Sequence, residues 1–396
     1  MALRKWLADQ LFTGSKLLGD QQVLIADESG TIVEIVPYPD AGDNVESLNG
    51  ILCPGFVNCH CHLELSHMRG LIPAHTGLVD FVFKVVTQRH FPDGEILEAI
   101  GKAEDEMIAS GIVAVGDICN NVLTIGQKTQ QRIRYYNFIE ASGWLPTVAD
   151  TRFHRALDNL KAFTRANLQL SRSSIVPHAP YSVSDALWHA ITPYFASKTV
   201  TIHNQETSGE NAFFQEGTGD FLRMYNLMKI DNSFHKPTGK TSLQSYLPKL
   251  RDAATLLLVH NTFTSEADVV FAMDHARSQQ QDLYWCLCIN ANKYIEEKIP
   301  PVDALRSQGA QVVVGTDSLA SNWSLSMLDE LKSLQTSFPH IPLEEMLGWA
   351  TENGARALGM SDVLGSFETG KRPGILQITN VDRNELTTTT AVKRML

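Results

Sequence analysis

The chain has 396 residues, 43% hydrophobic and 19% charged, which is enough apolar material for one large core or for two or three smaller domains. Its formal net charge of -11 gives no general electrostatic footprint for nucleic acid. Asp9 and Gln10 interrupt any apolar segment after the basic start, and no apolar run reaches about 18 residues, so the reading is a cytoplasmic protein with no membrane association.

In chain order, Val23 to Ile25 and Thr31 to Val36 are short strand candidates separated by the turn signal Glu28-Ser29-Gly30. Eight apolar or β-branched runs follow: Phe56 to His62, Ile112 to Asp117, Tyr135 to Glu140, Ser174 to His178, Thr199 to Glu206, Thr255 to Asn261, Leu283 to Asn290 and Gln311 to Asp317. Each turns polar at its end and leaves room for a helix before the next. Between the first two, Ile96, Leu97, Ile100, Ala103, Met107 and Ile108 recur at helical spacing. Ile375 to Ile378 is a last strand candidate, and Thr387 to Thr390 is too short a run to assign.

Eight alternating units predict an α/β protein with a closed (β/α)8 TIM-type barrel over residues 54–365. Residues 1–53 and 366–396 are expected to form a small composite β-sandwich domain from both termini. An open doubly wound sheet is the alternative, but it would place a Gly-rich turn after its first strand, and none is present. Pro237-Thr238-Gly239-Lys240-Thr241 does not serve as a phosphate loop, because Phe234 occupies the place of its first glycine.

Chemistry gathers at the strand ends. His60 and His62 stand two apart on a strand and so share one face, with Cys61 turned away. Later runs close on His203, His260 and Asp317. Imidazole and carboxylate groups collected from several strand ends are what an open catalytic metal site requires. The six cysteines, among them the pairs Cys59 with Cys61 and Cys286 with Cys288, lack the spacing of structural zinc sites and read as reduced, buried residues.

These pieces resemble the amidohydrolase superfamily, in particular its metal-dependent deaminases of cytosine, guanine, S-adenosylhomocysteine and aminodeoxyfutalosine. The resemblance rests on Pro54 to Glu64, Pro177-His178-Ala179-Pro180-Tyr181, His203-Asn204-Gln205-Glu206, the strand ending in His260, Gly315 to Asn322 and Ala350 to Gly359. It implies one divalent ion, zinc with iron as the alternative, held by His60, His62, His203 and Asp317. Glu206 and His260 are then the proton-transfer groups, and Asp317 accepts the proton of a metal-bound water that attacks as hydroxide. Strand four offers Ile175-Val176-Pro177-His178 where two-metal relatives carry a bridging group, so a single ion is expected.

The implied activity is hydrolytic deamination of an amino-substituted purine, nucleoside or related heterocycle, aminodeoxyfutalosine among the candidates. The alternatives are hydrolysis of a cyclic amide or halogenated heterocycle, or a non-catalytic binding protein on the same barrel. The expected partner is therefore a small heterocyclic substrate, with a homo-oligomer left open. Glu64 and His178 are the candidate substrate contacts. Glu64 is suited to a ribose diol or amino group, or to a structural pair with Arg69. The aromatic segment 207–250 reads as amphipathic helix packing, with a substrate lid as the alternative.

Overall fold

The structure, a computed structural model, describes residues 2–166 and 168–396. Among them, seven strands make one mixed sheet: β1 (Leu3–Phe12), β2 (Leu17–Leu18), β3 (Gln22–Asp27), β4 (Ile32–Pro37), β5 (Glu46–Pro54), β14 (Ile375–Asp382) and β15 (Glu385–Arg394). Their order is β15-β14-β5-β1-β3-β4, with β2 beside β1. Both ends of the chain contribute, since β14 runs antiparallel to β5 with Ile375 opposite Pro54 and Ile378 opposite Ile51.

Four of these strands have no counterpart in the sequence reading, for physical reasons; β2, of two residues, is too short to give a pattern. β1 buries Trp6, Ala8 and Leu11, and a register shift between Ala8 and Gln10 breaks the two-residue alternation that would have announced it. β5 begins exposed and turns apolar only from Ile51 onward. The run Thr387 to Thr390 lies inside β15, which pairs with β14 through the two-residue turn Arg383-Asn384. Both turn residues have positive φ, 47° and 65°, as a tight hairpin turn requires, but Arg-Asn is a weak signal for one.

The eight apolar runs all become strands, in two four-stranded parallel sheets. One has the order β6 (Phe56–Cys61), β7 (Ile112–Cys119), β8 (Arg134–Ala141), β9 (Ser171–Pro177). The other has the order β10 (Thr199–Asn204), β11 (Thr255–His260), β12 (Asp282–Leu287), β13 (Gln311–Val314). Strands covered on both faces show no alternation, and every residue of β6, β7 and β10 is accordingly buried. The sheets touch at both pairs of edges near the strand ends. His203 N donates to His178 O at 3.0 Å on one side, and Thr316 N and Asp317 N donate to His60 O, each at 3.0 Å, on the other.

Helices cover the parallel strands. Asp93–Ala109 buries Ile96, Ile100, Ala103 and Met107 at helical spacing and leaves Leu97 exposed, which narrows the predicted apolar stripe. Ser265 and Asp268 form a reciprocal capping box that starts the helix Glu266–Gln279. All six cysteines are free and buried. No helix among the described residues is long and apolar enough to cross a membrane.

Candidate active site

The ends of β6, β10, β11 and β13 bring four imidazoles and a carboxylate together. The ring of His60, next to last in β6, lies 5.0 Å from that of His62 and 4.9 Å from that of His203. His260, the last residue of β11, has its ring 5.8 Å from His60 and 5.4 Å from His203. Asp317 Oδ1 is 3.5 Å from His60 Nε2 and 3.4 Å from His62 Nε2. The Nε2 atoms of His62 and His203 are 3.3 Å apart. Gly315 permits this convergence, because a Cβ there would meet the Cβ of His60 at 2.8 Å and its backbone N at 2.9 Å.

Supporting residues to which the sequence assigned no such role hold this arrangement. Asn58 Oδ1 accepts from the backbone N of Thr316 at 3.1 Å and of His60 at 3.3 Å, pinning the end of β13 to β6. His203 Nδ1 donates to the carbonyl of His178 at 2.8 Å, and His260 Nδ1 donates to Asn292 Oδ1 at 2.8 Å. Each bond fixes a tautomer with a bare Nε2. Ser321 Oγ donates to Asp317 Oδ2 at 2.6 Å. His260 and Asp317 have φ of 73° and 58°, a strained conformation of the kind that fixed surroundings sustain at functional sites. Asp117, another strand-end carboxylate, is spent elsewhere: it accepts from Leu63 N at 2.8 Å and from the buried Lys128 Nζ at 2.5 Å.

Burial and neighbouring charge set the protonation. Burial pushes the pKa of His62 and His203 well below the ordinary imidazole value, and that of His260 down to about 4, so these three rings are neutral. Burial opposes the charge of Asp317, yet the neighbouring imidazoles of His60, His62 and His260 bring its pKa well below the usual range. Glu206 shifts the other way, raised well above the ordinary carboxyl value by burial and then by the charge of Asp317. Its Oε1 lies 3.6 Å from His260 Nε2.

The donor set fits a divalent cation. Both ring nitrogens of His60 and Nε2 of His260 are buried without a hydrogen-bond partner among the described residues. Nitrogens left this way cost about 1–3 kcal/mol each unless something binds them. His60, His62 and His203 offer ring nitrogens that all lie within 4.8 Å of one another, with the ionised Asp317 beside them. Neutral imidazoles and one carboxylate are zinc-type ligands.

The sequence profile of the Amidohydrolase family matches residues 51–392. The chain belongs to that family. This amidohydrolase is 29% identical over 363 residues to the 5-methylthioadenosine/S-adenosylhomocysteine deaminase of Teredinibacter turnerae, covering 85% of this chain and 72% of that protein. Helicobacter pylori aminofutalosine deaminase in complex with methylthio-coformycin has the same fold, with a TM-score of 0.78 at 23% identity over 97% of this chain and 93% of that one. An adenosine deaminase from Xanthomonas campestris, solved with bound zinc, gives 0.68 at 21% identity over 94% and 84%. The chain is a hydrolase of carbon–nitrogen bonds.

The amidohydrolase site opens into a cavity of about 150 Å³ bordered by His62, His178, His203, Glu206, His260 and Asp317. A larger polar depression of about 1010 Å³ holds none of the four converging histidines. The helix Leu78–Gln88 supplies the apolar wall of the smaller cavity through Leu78, Phe81, Val82 and Val85. No residue of 207–250 lines it. Phe213, Phe221 and Tyr225 instead pack behind that wall with Trp144, while Tyr181 joins the same cluster and borders the cavity itself. Arg223 fastens the two layers by a bidentate bond to Asp80, at 2.8 and 3.1 Å.

His178 follows β9 and lines the cavity, its Nδ1 bonded to Ser182 Oγ at 2.7 Å. Glu64 does not line the cavity. It is buried behind Arg89, whose Nη2 donates to Oε1 at 2.6 Å, while the backbone N of Asn120 and of Asn121 donate to Oε2 at 3.0 and 3.2 Å. The pairing with Arg69 is corrected accordingly, since Arg69 bonds Glu106. Arg89, twenty-five positions away, is the group that reaches the pocket. Replacing Glu64 by Ala strands Arg89 and two backbone donors, so we expect a loss of roughly 3 kcal/mol in chemical denaturation. An unchanged denaturation midpoint would contradict that anchoring role.

Proposed function

We propose that this chain is a zinc-dependent aminohydrolase that removes ammonia from an amino-substituted purine nucleoside or related heterocycle. The observation that carries the reading is geometric: Glu206, His260 and Asp317 border one cavity beside the clustered His60, His62 and His203, with the pKa of Glu206 shifted up and that of Asp317 shifted down. An acid and an acceptor are thereby available at the same time. The deaminase and zinc of the relatives named above support it.

His60, His62, His203 and Asp317 would hold the ion. Zinc bound there supplies a Lewis acid that brings the pKa of a water near neutrality. Asp317, ionised and steadied by Ser321, takes up the proton released by the hydrolytic water. His260 accepts a hydrogen bond at its bare Nε2 and so aims that water. Glu206 delivers its proton to a ring nitrogen of the substrate, which draws electron density from the amino-bearing carbon. His178, with Nδ1–H committed to Ser182, presents Nε2 as an acceptor to the substrate.

In architecture, the edge bonds between the two parallel sheets support a closed (β/α)8 barrel over residues 54–365. Residues 1–53 and 366–396 form the companion β domain in this reading. The catalytic groups then occupy the carboxyl ends of the barrel strands.

Two measurements test the proposal. Amino-heterocycles screened against zinc-, iron- and manganese-loaded protein should release ammonia, with zinc supporting turnover; absence of ammonia from every compound refutes it. Elemental analysis of active protein should give one tightly held ion per chain. Two equivalents, both needed for turnover, would contradict the single-ion site.

A further inference from the structure

Glu140, next to last in β8, is a buried carboxylate for which the mechanism above has no task. It borders the cavity with only 8% of its surface exposed, and its Oε2 is shut off from solvent without a hydrogen-bond partner among the described residues. The contrast with Glu64 is direct, since the donors reaching Glu64 are all supplied by the protein. A carboxylate left in this state is costly unless a ligand brings the missing donor.

Its neighbours narrow the ligand. An oxygen of Glu140 and a ring nitrogen each of His178 and His203 lie within 4.8 Å of one another. A second ion there is poorly served, because His203 spends Nδ1 on the carbonyl of His178 and turns Nε2 toward His62. That leaves Glu140 and His178, two ligands, which is too few for a transition-metal ion. Ser182 Oγ donates to the carbonyl of Ala179 at 3.0 Å and therefore accepts from His178 Nδ1, leaving His178 Nε2 bare. Glu140 and His178 are thus neighbouring side chains that each keep an acceptor atom without a donor among the described residues. A ligand carrying adjacent hydroxyl groups complements such a pair, and a flat base lacking them does not.

We propose that Glu140 is a specificity-determining residue whose carboxylate, beside His178, accepts hydrogen bonds from the sugar hydroxyls of a nucleoside substrate, so that the enzyme selects nucleosides over free bases. The inference rests on the deaminase reading and deepens it. Because no described residue donates to the buried Oε2 of Glu140, Glu140→Gln should bind zinc fully and melt no lower than the parent.

The test compares zinc-loaded parent and Glu140→Gln on adenosine, 2′-deoxyadenosine, 3′-deoxyadenosine and adenine, followed by ammonia release. On adenosine the variant should lose about 10- to 100-fold in kcat/KM, the worth of a charged hydrogen bond, mainly through KM. On the analogue lacking the contacted hydroxyl the loss should fall to about threefold or less. Equal losses on adenosine and both deoxy analogues would overturn the proposal, as would parent and variant that treat adenine and adenosine alike. Ammonia from free bases but from no nucleoside would remove Glu140 from recognition while leaving deamination standing. Ammonia from no amino-heterocycle would remove both.

Discussion

Glu206→Gln should keep its zinc and lose about 100- to 10,000-fold in turnover, the range typical of a missing general acid or base. Glu206 lies three residues beyond His203, is 4% exposed and approaches His260 Nε2 at 3.6 Å. Burial, reinforced by the charge of Asp317, raises its pKa well above the ordinary carboxyl value and so favours the protonated form. Gln fills the same volume and cannot deliver a proton. Folding should be little affected, because Gln keeps the volume and polarity of the buried carboxylic acid. Near-parental turnover in a zinc-loaded Gln variant would take Glu206 out of the mechanism.

His203→Ala should abolish metal binding and activity together. The substitution removes an Nε2 that sits 3.3 Å from that of His62, and it also removes one of the two donors to the carbonyl of His178, leaving only the backbone N of residue 203. Removing a direct ligand should weaken zinc affinity by at least about 100-fold, as large as the strongest effects of deleting a ligand's supporting partner. Competition with a chromogenic chelator measures this. Parental zinc affinity in the Ala variant would mean that the ion is held elsewhere.

The parts of this molecule legible from sequence are those in which one physical demand dominates. Strands covered on both faces must be apolar throughout, and so the runs that became β6 to β13 stood out, with His60, His203, His260 and Asp317 at or beside their ends. Where demands mix, the signal fades. β1 alternates Trp6 and Ala8 inward among charged residues and then loses its period at a bulge. Supporting groups are distant in sequence from what they hold: Asn292 fixes His260 from another element, and Asn58 pins Thr316 across 258 positions. Glu64 shows the same limit. Arg69 was the nearer cation, but the fold turns it to Glu106 and brings Arg89 in its place. Glu140 was visible only as a polar strand end, because burial without a partner is a property of the folded chain.

The most direct test is a titration of chelator-stripped protein with zinc, with ammonia release from adenosine-type nucleosides followed at each addition. The account predicts no activity without metal, a linear rise to one equivalent per chain and a plateau beyond it. Full ammonia release from the stripped protein, or none from any amino-heterocycle at one equivalent and above, would contradict it.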